Sequence, residues 1–312
     1  MEIFLGVCAR GEDSNAKGVN GNSSDNTALN SGALYVFRFD GSSWGQDAYI
    51  KASNSELDDR FCDKAVISGD GNTILVSAPN EDSVDVGING DELDNSATSS
   101  GAAYVFRHNG TIWYQQAYIK APNGEAFDRF GVSLTISETG DVLAVGSVNE
   151  SSNASGVDGN QNDNSMSKAG AVYLYRYNSG GWSSDAYLKA HEPDTLDLFG
   201  HDLDLISGGT KLAVSAIQDD SDEKGLGGLA NDFSSNSGAV YIYQHHNGVW
   251  GFKHYIKASN TDASDMFGTA LAFDANGSNL IVGSTEESSS SLDINGDSSD
   301  NSSIKSGAIY LY

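Results

Sequence analysis

The chain is poor in most of what a protein of its length can lean on. Its 312 residues include 3 prolines and 2 cysteines. Two cysteines cannot build a disulfide framework, and Cys8 and Cys62 show no metal-ligand spacing. No apolar run reaches the roughly 18 residues of a membrane-spanning helix, and no long segment repeats apolar residues every 3.6 positions. Basic residues are scarce, 17 against 43 acidic, for a net charge of -26. A field of that sign repels nucleic acid and anionic membranes, which removes both as partners, and it attracts cations. The opening "MEIFLGVCAR" has no basic start, long apolar core or cleavage site, so it does not read as a secretion signal.

What is abundant is repetition. "SGALYVF" at Ser31 returns as "SGAAYVF" at Ser100, "AGAVYLY" at Ala169, "SGAVYIY" at Ser237 and "SGAIYLY" at Ser306, at intervals of 69, 69, 68 and 69 residues. A fixed period of this kind predicts a repeat array. Apolar runs are short, rich in Val, Ile, Tyr and Phe, and separated by Gly, Ser, Asn and Asp, which predicts strands and turns. A first strand follows Phe61, Phe130, Phe199 and Phe267, and a Gly-bearing turn leads to a second, as in "NTILVSAP". After a polar loop of about 20 residues comes the opening motif as the third strand. The fourth carries Trp44, Trp113, Trp182 or Trp250 and then "AYIKA" or a variant.

Four short antiparallel strands per repeat, with aromatics at fixed places, predict the blade of a β-propeller, an all-β fold in which stacked blades bury each other's faces. The chain is then a single array over residues 1–312, with repeats at about 1–52 (partial), 60–121, 129–190, 198–258 and 266–312 (partial). It starts on a second strand, "EIFLGVCAR", and stops on a third, as expected of an excerpt from a longer closed propeller. Lys51, Lys120, Lys189 and Lys257 recur on the fourth strand, where they are expected either to guard an outer edge or simply to face solvent. Cys8 stands where the other repeats have Ser77, Gly146, Ser215 and Gly283, and Cys62 where they have Gly131, Gly200 and Gly268. Both read as small residues at tight positions, and no compartment follows from them.

The strings "DRFGVSLTIS…VLAVGS" and "FCDKAVISGDGNTILVSAP" resemble the FG-GAP repeat, which builds the β-propeller of integrin α subunits and occurs in bacterial surface proteins. The FG falls on Phe130-Gly131, Phe199-Gly200 and Phe267-Gly268, with Phe61-Cys62 as a departure, and the GAP position reads Ser77-Ala78-Pro79. The resemblance implies a propeller and an extracellular or cell-surface location. The family often carries a D-x-D-x-D-G-x-x-D calcium loop between strands one and two; here "SGDGN", "SETGD", "SGGT" and "DANGSN" are too short for it, and that site is not carried over.

Acid is concentrated. Antiparallel order puts the 2–3 loops (11–30, 80–100, 149–168, 218–236, 285–305) and the 4–1 connections (53–59, 122–128, 191–197, 259–265) at one end of the blades, and these hold 32 of the 43 acidic residues. Within the loops, "VNGNSSDN", "INGDELDN", "VDGNQNDN" and "INGDSSDN" place oxygen side chains at relative positions 0, +2 and +5. These are Asn20, Asn22 and Asp25; Asn89, Asp91 and Asp94; Asp158, Asn160 and Asp163; and Asn295, Asp297 and Asp300. Two readings stand: weak Ca2+ sites, since calcium takes six to eight oxygens from flexible loops, or turn chemistry alone, in which Asn and Asp bond their own backbone. The fourth loop, "GLGGLAND", is a natural control, with Gly227, Leu229 and Asp232 at the three positions. Asp59, Asp128, Asp197 and Asp265, each two residues before the Phe, lie on the same face and either complete such a calcium site or cap the loop, and the cap is the expectation.

Catalytic patterns are weak. "GSSWG" (Gly41–Gly45) matches the nucleophile-elbow string but lies on a 3–4 hairpin rather than a strand-to-helix turn. "GLGGLA" from Gly225 has no helix after it and acids around it. The six histidines, His108, His191, His201, His245, His246 and His254, lack metal spacing and are expected at the surface or in packing. The repeated loop acids could imitate a glycosidase pair, but their recurrence in four repeats argues for structure or metal. The expectation is therefore no enzyme, but an extracellular binding or adhesion scaffold holding a protein or carbohydrate ligand at its acidic loop face. The alternative is an accessory propeller of a larger secreted hydrolase or lyase with its active site elsewhere.

Overall fold

The computed structural model describes residues 3–228 and 231–312; Glu2 of the first expected strand and Leu229 of the control loop lie outside them. Among the described residues there is no helix, and the fold is all-β, five antiparallel sheets of three or four strands. The first holds β1 (Ile3–Ala9), β2 (Ala33–Phe39) and β3 (Trp44–Ile50) in that order. The second is β4 (Ala65–Ile67), β5 (Thr73–Ala78), β6 (Ala102–His108) and β7 (Trp113–Ile119). The third is β8 (Ser133–Ile136), β9 (Val142–Ser147), β10 (Ala171–Asn178) and β11 (Gly181–Leu188). The fourth is β12 (Phe199–Leu205), β13 (Lys211–Ala216), β14 (Ala239–His246) and β15 (Val249–Ile256). The fifth is β16 (Phe267–Phe273), β17 (Leu280–Ser284) and β18 (Ala308–Leu311). Each sheet is thus a meander in sequence order, one sheet per repeat. By contacts the chain forms two compact units, Met1–Ser147 with Leu174–Asp185, and Val148–Tyr173 with Ala186–Tyr312.

The expected first strands begin at the repeated Phe in β12 and β16, but three or four residues later in β8 and β4. The Phe itself is a packing residue. Phe61, Phe130, Phe199 and Phe267 are all fully buried. Phe61 meets the rings of Tyr104 and Phe106 edge-on at 5.3 and 6.1 Å, and Phe199 meets Tyr241 and Tyr243 at 5.4 and 6.1 Å. Edge-to-face pairs of this kind each add about 0.5–1.5 kcal/mol beyond area burial.

The recurrence of the SGA motif has a steric cause. The backbone N–H of Phe61 donates to the Ser31 carbonyl at 3.0 Å, and that of Phe267 to the Ser237 carbonyl at 2.9 Å. A Cβ on Gly32 or Gly238 would lie 2.0 or 2.2 Å from the Phe61 or Phe267 carbonyl oxygen, so only glycine lets the next repeat's Phe backbone pass. The motif is a junction between successive sheets as well as a strand start.

The cysteine expectation is corrected. Cys8 on β1 and Cys62 form a disulfide, with a Cα–Cα distance of 5.2 Å. The positions are indeed tight, and the tightness makes the bond possible: at the equivalent junction of the second repeat, a Cβ built on Gly131 lies 3.0 Å from the Ser77 Cβ. Disulfides require Cβ atoms about 3.5–4.5 Å apart.

Candidate functional site

The repeated lysines neither guard an edge nor face solvent. Lys51, Lys120, Lys189 and Lys257 are 0, 2, 0 and 0% exposed. Each runs back from the end of a fourth strand into the 2–3 loop of its own sheet. Lys120 Nζ reaches Glu81 Oε2 at 2.6 Å and Ser100 Oγ at 2.6 Å. Lys51 pairs with Glu12 at 2.8 Å, Lys189 with Glu150 at 2.7 Å and Lys257 with Asp219 at 3.1 Å. Tyrosines two residues before three of these lysines join in: Tyr118, Tyr187 and Tyr255 donate to Glu81, Glu150 and Asp219 at 2.8, 2.9 and 2.8 Å. A buried ion pair is tolerated where further hydrogen bonds satisfy it, and here hydroxyls do so. The cluster fastens the base of each loop, which explains why a charge recurs where an exposed strand end was expected.

The aspartates before each Phe cap the 4–1 connections, as expected. Asp59, Asp128, Asp197 and Asp265 accept the N–H three residues earlier at 2.8, 2.9, 2.7 and 2.9 Å. In the first connection the Asp is flanked by two left-handed residues, Asp58 and Arg60 (φ 64° and 56°), and the pattern holds through Ser264 and Met266 (φ 70° and 53°). Non-glycine residues enter that region at a cost of about 1–2 kcal/mol each, which the cap offsets. Burial pushes Asp59 up to about 7, Asp197 up to about 8 and Asp265 up to about 6, with neighbouring carboxylates adding to the rise.

A pH dependence follows. A carboxyl with a raised folded pKa stabilises the fold in its protonated form. That contribution is complete below the ordinary value of 3.8 and is lost as pH rises through about 6 to 8. The melting temperature should therefore fall between about pH 4 and pH 8, and Asp59→Asn and Asp197→Asn should flatten the slope. A melting temperature that climbs steadily over that range would contradict these assignments.

The loop oxygens proposed for calcium are engaged by N–H groups. The first-position residues Asn20, Asn89 and Asp158 are left-handed, at φ 57°, 55° and 52°. Each makes a two-bond clamp on the fourth strand. Asn89 N–H donates to the Tyr118 carbonyl at 2.8 Å, and its Oδ1 accepts the Tyr118 N–H at 3.0 Å. Asn20 with Tyr49 and Asp158 with Tyr187 repeat the pattern, their side chains each accepting at 2.9 Å. Second-position Asn22, Asp91, Asn160 and Asp297 accept the N–H two residues on at 3.1, 2.9, 3.2 and 3.0 Å. Third-position Asp25, Asp94, Asp163 and Asp300 do the same at 2.9, 2.9, 2.8 and 2.9 Å. These are Asx turns. The remaining first-position residue, Asn295, is also left-handed, at φ 57°. Among the described residues, no three His, Cys, Asp or Glu side chains are grouped so as to hold a metal ion.

The fourth repeat differs from its sisters. Its loop keeps only the backbone half of the clamp, Gly227 N–H to the Tyr255 carbonyl at 2.9 Å. Beside it opens a cavity of about 140 Å³, lined by His191, Glu192, Gly227, Gly228, Tyr241, Phe252, Lys253, His254 and Tyr255. His191 lies flat on Phe252, with ring centroids 4.6 Å apart and planes at 4°. Glu192 also borders a second cavity of about 200 Å³, walled by Asp194, Asp197, Asp219, Asp220 and Asp232. The sequence placed these histidines at the surface or in packing. His191 and His254 are exposed, as expected, but they rim a cavity. The signal for it was present as three departures from the repeat: "HEPD", "GLGGLA" and "GFKHY".

Residues 113–175 match the family model described as FG-GAP repeat. No curated protein matches the chain. Among solved structures it is similar to the Chaetomium thermophilum Sqt1, at 14% identity and a TM-score of 0.43, over 82% of this chain and 49% of that one. It is also similar to a putative 6-phosphogluconolactonase from Bacteroides uniformis, at 9% identity and a TM-score of 0.37, over 80% of this chain and 71% of that one. The chain spans about half the length of the first. Neither likeness carries an argument about function. Among the described residues, no helix is long and apolar enough to cross a membrane.

Proposed function

We propose that this chain, which carries an FG-GAP repeat, is a run of β-propeller blades serving as a non-catalytic binding scaffold outside the cell, with its ligand taken at the loop end of the blades. The observation that carries this reading is the lysine cluster, repeated four times. Lys, its acid partner and the capping Asp recur and are spent inside, and the recurring loop Asn and Asp are spent on the turns, so both sets hold the loops in place. What they hold out to solvent is the part of the repeat free to vary. Rigid scaffolds with variable loops suit recognition. The Cys8–Cys62 disulfide supports an oxidising compartment, where such bonds persist. The test is binding of the labelled chain to intact cells, alongside a panel of chromogenic ester, phosphate and glycoside substrates. Saturable binding, competed by unlabelled chain and without turnover, is expected. Turnover, or association that never saturates, would defeat the reading.

Calcium enters this reading as dispensable, because the loop oxygens already serve the turns. Titrating calcium should raise the melting temperature no more than magnesium does. A calcium-specific rise that disappears in Asp94→Ala and Asp163→Ala would instead establish the loops as weak calcium sites.

A further inference from the structure

We infer that the cavity on the fourth repeat binds one neutral pyranose ring, making this repeat the carbohydrate-recognising element of the scaffold; the inference rests on the binding reading above. The argument starts from how the cavity arises. In the second repeat, Asn54 fills the corresponding corner: its Nδ2 donates to Glu81 at 2.9 Å, and its Oδ1 accepts the Tyr104 hydroxyl at 2.7 Å. In the fifth repeat, Asn260 does the same with Glu287 at 2.9 Å and Tyr310 at 2.6 Å. In the fourth repeat the residue is Glu192. A carboxylate has no hydrogen to donate to Asp219 and would set like charges side by side. Glu192 is accordingly exposed, and the Tyr241 hydroxyl turns to Asp219 Oδ2 at 2.9 Å. The corner that Asn54 and Asn260 fill is left open.

Other departures furnish the opening. Phe252 stands where sister repeats have Gln46, Gln115 and Ser184, and His254 where they have Ala48, Ala117 and Ala186. Gly227 replaces the clamping Asn or Asp, and a Cβ there would meet nothing within 4 Å. Three separate stretches of a periodic chain therefore break the period at one place.

Size and chemistry name the ligand. A cavity of about 150 Å³ holds a single benzene ring, so an open pocket of about 140 Å³ is of a size to seat one six-membered ring against its walls. The walls are Phe252, Tyr241, Tyr255 and the His191 ring, with Glu192, Lys253 and His254 at the rim. A purely apolar ring would cover those polar groups without bonding them, at a cost. A cation meets Lys253, and an anion meets Glu192 and the acidic cavity beside it. A pyranose offers a C–H face to the aromatics and uncharged hydroxyls to the rim.

The sister repeats also supply the test. His191→Ser restores the residue found as Ser53 and Ser259, and Phe252→Gln the residue found as Gln46 and Gln115, so the sheet accepts both. The whole chain is titrated by ligand-observed NMR with the methyl pyranosides of glucose, galactose and mannose, and with glucosamine and glucuronate as charged counterparts. At least one neutral pyranoside is expected to bind in the millimolar range, and both variants to weaken it about tenfold or more at unchanged melting temperature. Saturation by none of the neutral rings, or tighter binding of a charged one, overturns the ligand class. Equal binding by the variants overturns the location and leaves the scaffold reading intact. Hydrolysis of a nitrophenyl glycoside would end the non-catalytic reading while leaving the cavity its ligand.

Discussion

Replacing Lys120 by methionine should destabilise the protein by about 3–5 kcal/mol, among the larger effects open to a single side chain. The lysine is 2% exposed and its partner Glu81 1%. Removing the ammonium leaves a carboxylate in the interior with the hydroxyl of Tyr118 and the amide of Asn54 but no opposite charge. The cost is that of the stranded charge, not the worth of the pair, and this gives the prediction its second half. The double variant Lys120→Met/Glu81→Leu should recover much of the loss, because a buried ion pair replaced by apolar groups is often neutral. Lys17→Met, on an exposed loop position, should change stability by less than about 0.5 kcal/mol. Urea unfolding of the four proteins decides it. A loss under about 1 kcal/mol at Lys120 would mean an exposed pair of ordinary surface strength. Amide exchange adds a local reading: residues 80–100 should exchange faster in Lys120→Met, since Glu81 anchors that loop.

The lysine cluster shows what periodicity can and cannot reveal. Strands, their order and the buried Phe were legible because each rests on local pattern: alternation, turn residues and an aromatic at a fixed place. The burial of the lysines depends on a partner far along the chain. Yet the separation recurs, 39 residues for Lys51–Glu12, Lys120–Glu81 and Lys189–Glu150, and 38 for Lys257–Asp219. An acid and a base locked at one offset in four repeats is a contact signal; reading the lysine by its strand alone hid it. The loop oxygens teach the converse. Asn20, Asn22 and Asp25 carry the right atoms for calcium, and composition does not show that Asn20 accepts the Tyr49 N–H while Asn22 and Asp25 accept the N–H two residues on. The cavity of the fourth repeat was legible as departures, in Glu192, Phe252 and His254. Their convergence was not, since it depends on the way a 4–1 connection, a 2–3 loop and an outer strand meet.

Breaking the Cys8–Cys62 bond should cost about 4 kcal/mol, the loop-closure entropy that the chain-entropy model assigns to a crosslink spanning 54 residues. Two substitutions test it without disturbing either site. Cys8→Ser installs the residue of Ser77 and Ser215, and Cys62→Gly that of Gly131, Gly200 and Gly268. The two should not be equal. Cys62 is held at φ 65°, in the left-handed region, whereas the glycines at its sister positions sit at 104°, 93° and 100°. A non-glycine residue is there at a penalty of about 1–2 kcal/mol, part of which glycine returns to the unfolded chain as entropy. Cys62→Gly should therefore lose less than Cys8→Ser, although each removes the same bond. Reduction of the wild type should match Cys8→Ser, because both leave Cys62 in its strained place. Melting temperatures of the two variants, and of the wild type with and without reductant, read out the order. Two titratable thiols in the untreated native protein would show that the first junction holds without a crosslink, as its sisters do, and Cys62→Gly proving the more damaging variant would overturn the strain assigned to Cys62.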